Sequence, residues 1–400
     1  MKAKRSVVIV FAVFLQVILW VNLPVLASTK QSGEAAELES MIRDTVGGLK
    51  QLTGVSSKYV LEDSENMKAG TSICDWVAMV LALSGEKEAY DTYVNRLEKY
   101  VTESYKADGY LKGGATEYER ISLTLLALGR DPLEFGTDEN GNSIPFLRDG
   151  TYGFREKTLG QQGLSGYIYG LLLLDAMNYE VPKDAAVARE DMLAAILDAQ
   201  SEEGGFSIDG NGANVDMTAM ALQALAPYAG DEKVHASIEK ALDWLYEEMT
   251  SYGTFVSGNV ESCESTAQVI LAMCALDVDV RTDTRFEKNG TTLWKGLQAF
   301  RLADGTYVHS LEETEGNLIA TEQALLALEA VQKRATEGRW IWDFEGYVPP
   351  ESAQTNGISK SFCLLGIGML VLLGVGVVAA RTAKKRRVNG RKAEGRARDV

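Results

Sequence analysis

The chain has 400 residues, with 40 Lys and Arg against 56 Asp and Glu, 46% hydrophobic residues, two His and four Cys. The charge is uneven: Ser28 to Ala380 holds 28 basic and 54 acidic side chains, while the last twenty residues hold nine basic and two acidic. Phosphate contacts need clustered cations, so nucleic acid is excluded as a partner of the acidic body. Four cysteines are too few for a disulfide scaffold, and two histidines leave little for a His-rich metal site.

At the start of the chain, Lys2, Lys4 and Arg5 precede an apolar run from Val7 to Leu26, closed by Val25-Leu26-Ala27. Residues 1–27 therefore read as an export signal, with an uncleaved membrane helix as the alternative because the run is long. Between Ser28 and Tyr347 a four-residue apolar block recurs six times: Val80-Leu-Ala-Leu83, Leu125-Leu-Ala-Leu128, Leu171-Leu-Leu-Leu174, Leu222-Gln-Ala-Leu225, Ile270-Leu-Ala-Met273 and Leu325-Leu-Ala-Leu328. Their spacings are 45, 46, 51, 48 and 55 residues, the signature of a repeat architecture. These stretches are apolar on most faces and predict buried helices. The amphipathic segments Glu37 to Leu52, Glu88 to Tyr105, Lys183 to Gln200, Glu232 to Met249 and Thr291 to Arg301 alternate with them and predict half-buried helices. The third interval differs: Asp131 to Asp149, dense in Gly, Pro and Asn, predicts a loop or a short helix. The expected fold is all-α, a ring of six inner and six outer helices, since a closed ring has no open edge to cap.

A second beat runs between the layers: Asp108-Gly-Tyr110, Asp149-Gly-Thr-Tyr-Gly-Phe154, Glu203-Gly-Gly-Phe206, Tyr252-Gly-Thr-Phe255 and Asp304-Gly-Thr-Tyr307. Glycine after a helix supplies the left-handed turn that stops it, and the aromatic can lie back across the helix end, a packing role. After the repeats, 348–361 is polar and led by Pro349-Pro350, as a stalk is. Phe362 to Ala380 is nineteen residues without a charge, long enough for one transmembrane helix. The basic run from Arg381 to Arg387 follows it, so 381–400 is expected in the cytoplasm and the acidic domain 28–347 outside the cell, a single-pass protein of the cell membrane. No Leu-Pro-x-Thr-Gly element precedes the helix, so the helix itself is the expected anchor.

Gln200-Ser-Glu-Glu-Gly-Gly-Phe206 with Asp216-Met-Thr-Ala-Met-Ala-Leu-Gln-Ala-Leu225, and Glu264-Ser-Thr-Ala-Gln-Val-Ile-Leu-Ala-Met273, resemble the repeat of the prenyltransferase, squalene-cyclase and terpenoid-cyclase superfamily. The resemblance spans roughly Leu38 to Tyr347 and implies an (α/α)6 toroid. It is equally a resemblance, more distant, to the toroids of transcobalamin-type vitamin B12 carriers, and to bacterial surface proteins of this branch. Fold alone does not choose among these activities. Hopene-type cyclases protonate an alkene with the middle acid of an Asp-x-Asp-Asp-Thr-Ala motif. Here the same stretch reads Asn214-Val-Asp216-Met217-Thr218-Ala219, with the middle acid kept and both flanking acids gone. Protein prenyltransferases hold zinc with an Asp, a Cys two residues on and a His. Glu261-Ser-Cys263 matches the first half, but Leu318 stands where the His is required and His309 lies nine residues earlier, so no metal or other cofactor is expected. Asp138, Asn140, Asn142 and Asp149 follow calcium-loop spacing with Ser143 at the glycine position, and read as a polar turn.

Counting six residues back from each apolar block gives the ring Cys74, Glu119, Ser165, Asp216, Glu264 and Ile319, with Asp75, Glu117 and Glu322 near the same level. Helix starts in such a ring surround one mouth of the lumen, so the mouth is expected to be acidic and lined by Trp76, Tyr118, Tyr167 and Tyr169. The helix dipole alone rewards carboxylates there. Several on one rim also repel, which a cation or a donor-rich ligand relieves. The expected ligand-binding residues are Asp75, Trp76, Glu119, Tyr167, Asp216 and Glu264. The ligand expected is a small molecule such as a corrinoid, or a surface peptide or glycan, bound without catalysis. The alternatives are an enzyme of the cyclase, transferase or glycan-cleaving toroid type using Asp216 and Glu264, and a structural or adhesive surface protein.

Overall fold

The computed structural model describes residues 33–154 and 158–353. The predicted export signal 1–27, the membrane segment 362–380, the tail 381–400 and stalk residues 354–361 lie outside them. Among the described residues no helix is long and apolar enough to cross a membrane. They all belong to one unit, which ends at Ala353.

In chain order the helices are α1 (33–52), α2 (Ser72–Leu83), α3 (Tyr90–Asp108), α4 (Ala115–Ala127), α5 (Phe146–Gly150), α6 (Ser165–Ala176), α7 (Arg189–Asp198), α8 (Val215–Leu225), α9 (Glu232–Glu248), α10 (Cys263–Ala275), α11 (Leu293–Ala299) and α12 (Leu318–Glu337). The even-numbered helices pack each against the next, and α12 packs on α2, so the six close a ring. The odd-numbered helices form the outer layer, with α5 on α4, α7 on α6, α9 on α8 and α11 on α10. This is the toroid of inner and outer helices expected from the repeat. The third outer helix, α5, is reduced to five residues, because the Gly- and Pro-rich stretch before it cannot sustain more. Two short antiparallel hairpins, β1 (Phe255–Ser257) with β2 (Val260–Ser262) and β3 (Glu287–Lys288) with β4 (Thr291–Thr292), lead into α10 and α11.

The inner helices start where polar caps take up free N–H groups. Asn214 Oδ1 accepts from the Met217 N–H at 2.9 Å, Ser262 Oγ from Ser265 at 3.2 Å, and Asn317 Oδ1 from Ile319 at 2.9 Å. One turn on, a threonine fastens the Gly-aromatic beat to each of the last three inner helices. Thr218 Oγ1 accepts from the Phe206 N–H at 2.9 Å, Thr266 from Phe255 at 3.2 Å and Thr321 from Tyr307 at 2.9 Å. Each hydroxyl also donates to its own cap carbonyl, on Asn214, Ser262 and Asn317. The three aromatics are wholly buried. The first beat departs from the pattern: Tyr110 is exposed, and Leu111 is buried in its place with its N–H bound to the Tyr118 hydroxyl at 2.9 Å.

The outer layer closes on the same scheme. Arg301 Nη2 reaches Asp44 Oδ2 on α1 at 2.9 Å, joining the last repeat to the first. Gly305 (φ 86°) passes so close that a Cβ there would lie 2.4 Å from the Asp44 carbonyl oxygen, which only glycine permits.

After α12 the chain turns at Gly338 and 339–353 crosses the C-terminal ends of the inner helices. The Phe344 N–H donates to the Ala176 carbonyl of α6 at 2.9 Å, the Tyr347 hydroxyl to Ala82 of α2 at 3.1 Å, and the Ala353 N–H to Glu88 at 2.7 Å. Trp342 drops into the ring: its Nε1 donates to Gln223 Oε1 on α8 at 2.9 Å, and its ring meets Trp76 of α2 edge-on at 6.1 Å between centroids. Helices α2 and α8 are three places apart in a ring of six, so Trp342 spans the axis and floors the lumen.

Candidate functional site

A helix packed by neighbours on both sides and by the outer layer behind can stay partly exposed only toward the lumen. The half-exposed residues of the inner helices mark that stripe, mostly four apart: Thr116 and Arg120 on α4, Ser165 and Tyr169 on α6, Asp216 and Met220 on α8, Ile319 and Gln323 on α12. Glu264 on α10 and Ile73 with Trp76 on α2 complete it. Of the ring read from the sequence, Ser165, Asp216, Glu264 and Ile319 therefore share the mouth.

The other expected residues divide. Asp75 is fully buried and does not reach the mouth: its oxygens accept from the Gly70 N–H at 2.9 Å, the Tyr93 hydroxyl at 2.7 Å and Arg120 Nε at 3.0 Å. Burial still holds its carboxyl above the usual range, Arg120 and Tyr93 opposing. Glu119 is likewise sealed, because the stripe on α4 runs through Thr116 and Arg120 and turns Glu119 toward α6, where a Cβ on Gly170 would lie 3.1 Å from Oε1. Neither Glu119 oxygen has a hydrogen-bond partner, and burial pushes its carboxyl well above the usual carboxylate range. Glu117 is taken by the Tyr100 hydroxyl and the Gly113 N–H, and Tyr118 faces outward onto Tyr105. Tyr167 is half-buried with its ring over Gly160. Trp76 does face the lumen, as the neighbour of Trp342.

What the mouth assembles is a pair of half-exposed acids, Asp216 and Glu264, on neighbouring helices, with Glu322 buried one residue off the stripe on α12. Asp216 (α8) keeps Oδ1 buried without a partner, and its carboxyl is raised by burial and by Glu264, the Ser265 hydroxyl opposing. Glu322 (α12) is 5% exposed, keeps Oε1 without a partner, and is pushed up to about 8 by burial and then by Glu264. Burial raises the Tyr169 hydroxyl, with Glu119, Glu322 and Asp216 adding to it. Tyr169 on α6 lies opposite α12, so Glu322 acts on it across the lumen. Glu264 itself accepts from the Ser262 hydroxyl at 3.1 Å and meets His309 Nδ1 at 2.8 Å.

His309, which the sequence places in a loop, arrives beside Glu264 because Ser310 bridges Ser262 and the His309 carbonyl accepts the Cys263 N–H at 3.0 Å. A signal existed: His309 stands two places after the aromatic of its beat, as Ile208 does, and the Ile208 carbonyl likewise accepts from Leu164 at the start of an inner helix. Cys263 is buried with Sγ on the Ala320 carbonyl, and Cys74, Cys263 and Cys274 are all free. Among the described residues no three His, Cys, Asp or Glu side chains stand where they could hold a metal ion.

Deeper, the polar groups satisfy one another. Trp342 Nε1 donates to Gln223, Gln223 Nε2 to Gln268 Oε1 at 3.1 Å, and Gln268 Nε2 to Gln323 Oε1 at 3.0 Å. Outside the ring, a surface cavity of about 490 Å³ lies between the end of α3 and the 138–149 loop. There Asp138 accepts from the Asn140 and Asn142 N–H groups and Asp149 from Arg148 and Tyr105, a polar turn.

No protein-family model matches the chain, and no curated protein matches it. Among solved structures it is similar to the Candida albicans protein geranylgeranyltransferase-I complexed with GGPP, at 13% identity over 73% of this chain and 91% of that one, with a TM-score of 0.46. It is also similar to a variant of the type II terpene cyclase MstE from Scytonema in complex with geranylgeranyl dihydroxybenzoate, at 10% identity over 74% of this chain and 98% of that one, with a TM-score of 0.46. The apo form of MstE is similar at 11% identity over 76% and 99%, with a TM-score of 0.42.

Proposed function

We propose that the chain is a membrane-anchored extracellular toroid that binds a ligand, without transforming it, in the lumen beneath the acidic mouth. The ligand is a small molecule, such as a corrinoid, or a segment of a surface peptide or glycan. One observation carries the reading: Asp216 Oδ1 keeps no hydrogen-bond partner on the luminal stripe at the mouth, with the half-exposed Glu264 beside it on the next inner helix. An unpaired buried acceptor costs about 1–3 kcal/mol, which a ligand that donates to it recovers. The anchor rests on the uncharged run Phe362 to Ala380 and the basic residues after it.

The test is thermal unfolding of the purified protein against corrinoids, peptides, glycans and cations. A ligand that raises the melting temperature of the native chain and loses about tenfold or more in affinity on Asp216→Asn supports the reading. A panel that leaves the native chain unmoved overturns it and favours a structural or adhesive role. A second reading makes Asp216, whose carboxyl is raised, a proton donor with Glu264 beside it. It requires turnover of a polyprene or glycan that vanishes in Asp216→Asn, and no product from either class ends it.

A further inference from the structure

The segment 339–353 covers one end of the ring, and the other end carries apolar side chains with nothing over them. Among the described residues eight large apolar side chains are exposed. Six of them, Ile73, Tyr110, Ile208, Tyr252, Val256 and Ile319, lie in or within two residues of the connections that lead from an outer helix into an inner one, on the mouth side. Single exposed apolar groups are ordinary on a protein surface. Their gathering on one face is not, and apolar groups set among polar ones mark an interaction site. Three of the six fall on consecutive repeats: Ile208 before α8, Val256 before α10 and Ile319 as the second residue of α12, at 46%, 45% and 44% exposure. These helices pack in that order, and the Ser262–Ser310 bridge ties the last two connections together, so the three form one arc of the rim. The same connections, 207–214, 256–262 and 308–317, hold five carboxylates and no Lys or Arg: Asp209, Glu261, Glu312, Glu313 and Glu315. All but Glu261 are exposed, and among the described residues nothing pairs with Glu312 or Glu315. The exposed Lys68 and Lys112 stand elsewhere on the face, before α2 and α4.

That combination selects the occupant. A second copy of this chain would set the same five carboxylates against their own kind, and an anionic bilayer surface is repelled for the same reason. What complements the arc is a set of cations spaced among large apolar groups, and the stems of Lys and Arg add apolar contact of their own. We infer that the arc formed by the connections before α8, α10 and α12 docks a basic polypeptide segment in which Lys or Arg is interspersed with large apolar residues. The acids act as a spread field along exposed loops and need not converge on any one group. The inference concerns the rim above the lumen, so a lumen that binds nothing leaves it standing.

The test uses the full-length chain in non-ionic detergent and the fluorescence anisotropy of a labelled peptide, Lys-Leu-Lys-Leu-Lys-Leu-Lys, measured in excess over protein-free micelles. Two counterparts carry serine for leucine or glutamate for lysine. The native chain is expected to bind the first peptide at least about tenfold more tightly than the serine one, to ignore the glutamate one, and to lose affinity as salt rises. Glu312→Gln with Glu315→Gln, and separately Ile208→Ser, should each weaken binding about fivefold or more with the melting temperature unchanged. Glu98→Gln with Glu103→Gln, an equal loss of charge on the exposed side of α3, should not weaken it. No binding of the first peptide, equal binding of the serine peptide, or equal weakening by the α3 pair overturns the inference. So does light scattering that shows the native chain as a dimer which Ile208→Ser dissociates, because a second copy would then cover the arc.

Discussion

The two ends of the ring are built from the same six helices and differ in how their polar groups are linked, in a directed ladder at the floor and as separate acids at the mouth, although Asp175 Oδ2 and Glu329 Oε1 toward the floor also lack a partner. At the floor, Trp342, Gln223, Gln268 and Gln323 pass hydrogen bonds in one direction, and Lys333 Nζ is held by the Ile341 and Asp343 carbonyls at 3.2 and 2.6 Å. At the mouth, Asp216 and Glu322 each keep a buried oxygen with nothing to accept. Buried polar groups are nearly always paired, so a group left unpaired marks where stability has been given up for something else.

That contrast can be broken most severely from below. Trp342→Ala removes a fully buried indole and strands Gln223 Oε1, and should cost about 3–5 kcal/mol of stability in thermal unfolding. A loss under about 1 kcal/mol would show that the 339–353 crossing merely lies on the ring.

The mouth gives the next largest effect, through pH. Glu322 is pushed up to about 8 in the folded chain from an ordinary value of 4.5, so the folded state keeps a proton that the unfolded state has lost. The stability from this group is full below about 4.5 and is lost as pH rises through about 8. Glu322→Gln cannot ionise and should be more stable than the native chain at pH 8.5, by on the order of 1–4 kcal/mol, with the advantage shrinking toward pH 5. Parallel melting-temperature profiles for the two proteins would sink the assignment of Glu322 as a destabilised mouth acid.

The smallest effect lies between the layers. Thr266→Val leaves the buried Phe255 N–H without its acceptor and should cost about 1–2 kcal/mol, with Thr218→Val and Thr321→Val similar. A null result in all three would mean that packing of the aromatic, rather than the threonine clasp, sets the layer spacing.

Much of this architecture was legible because it repeats. Six apolar blocks forecast six inner helices, and the Gly-rich third interval forecast the stunted α5. The register of the mouth was harder. Most inner helices start seven or eight residues before their block, but α4 starts at Ala115, ten before Leu125. Counting back from the block therefore lands on Glu119, one residue off the stripe that Thr116 and Arg120 define. Asp75 was misplaced for a different reason: its partners Tyr93 and Arg120 come from two other helices, and no local pattern announces them. Trp342 lies beyond the last repeat, so periodicity is silent about it.

The join between Arg301 and Asp44, with Gly305 seated against α1, has a consequence for how the molecule comes apart. An open array of helical repeats frays from its ends, because an end repeat has only one neighbour to part from. Here the first helix is a neighbour of the last repeat, so there is no end to fray from, and an ion pair spanning more than 250 residues forms only when the circle is complete. The toroid should therefore fold slowly and melt in a single cooperative step, and an N-terminal truncation that deletes α1 should replace that step with a broad one.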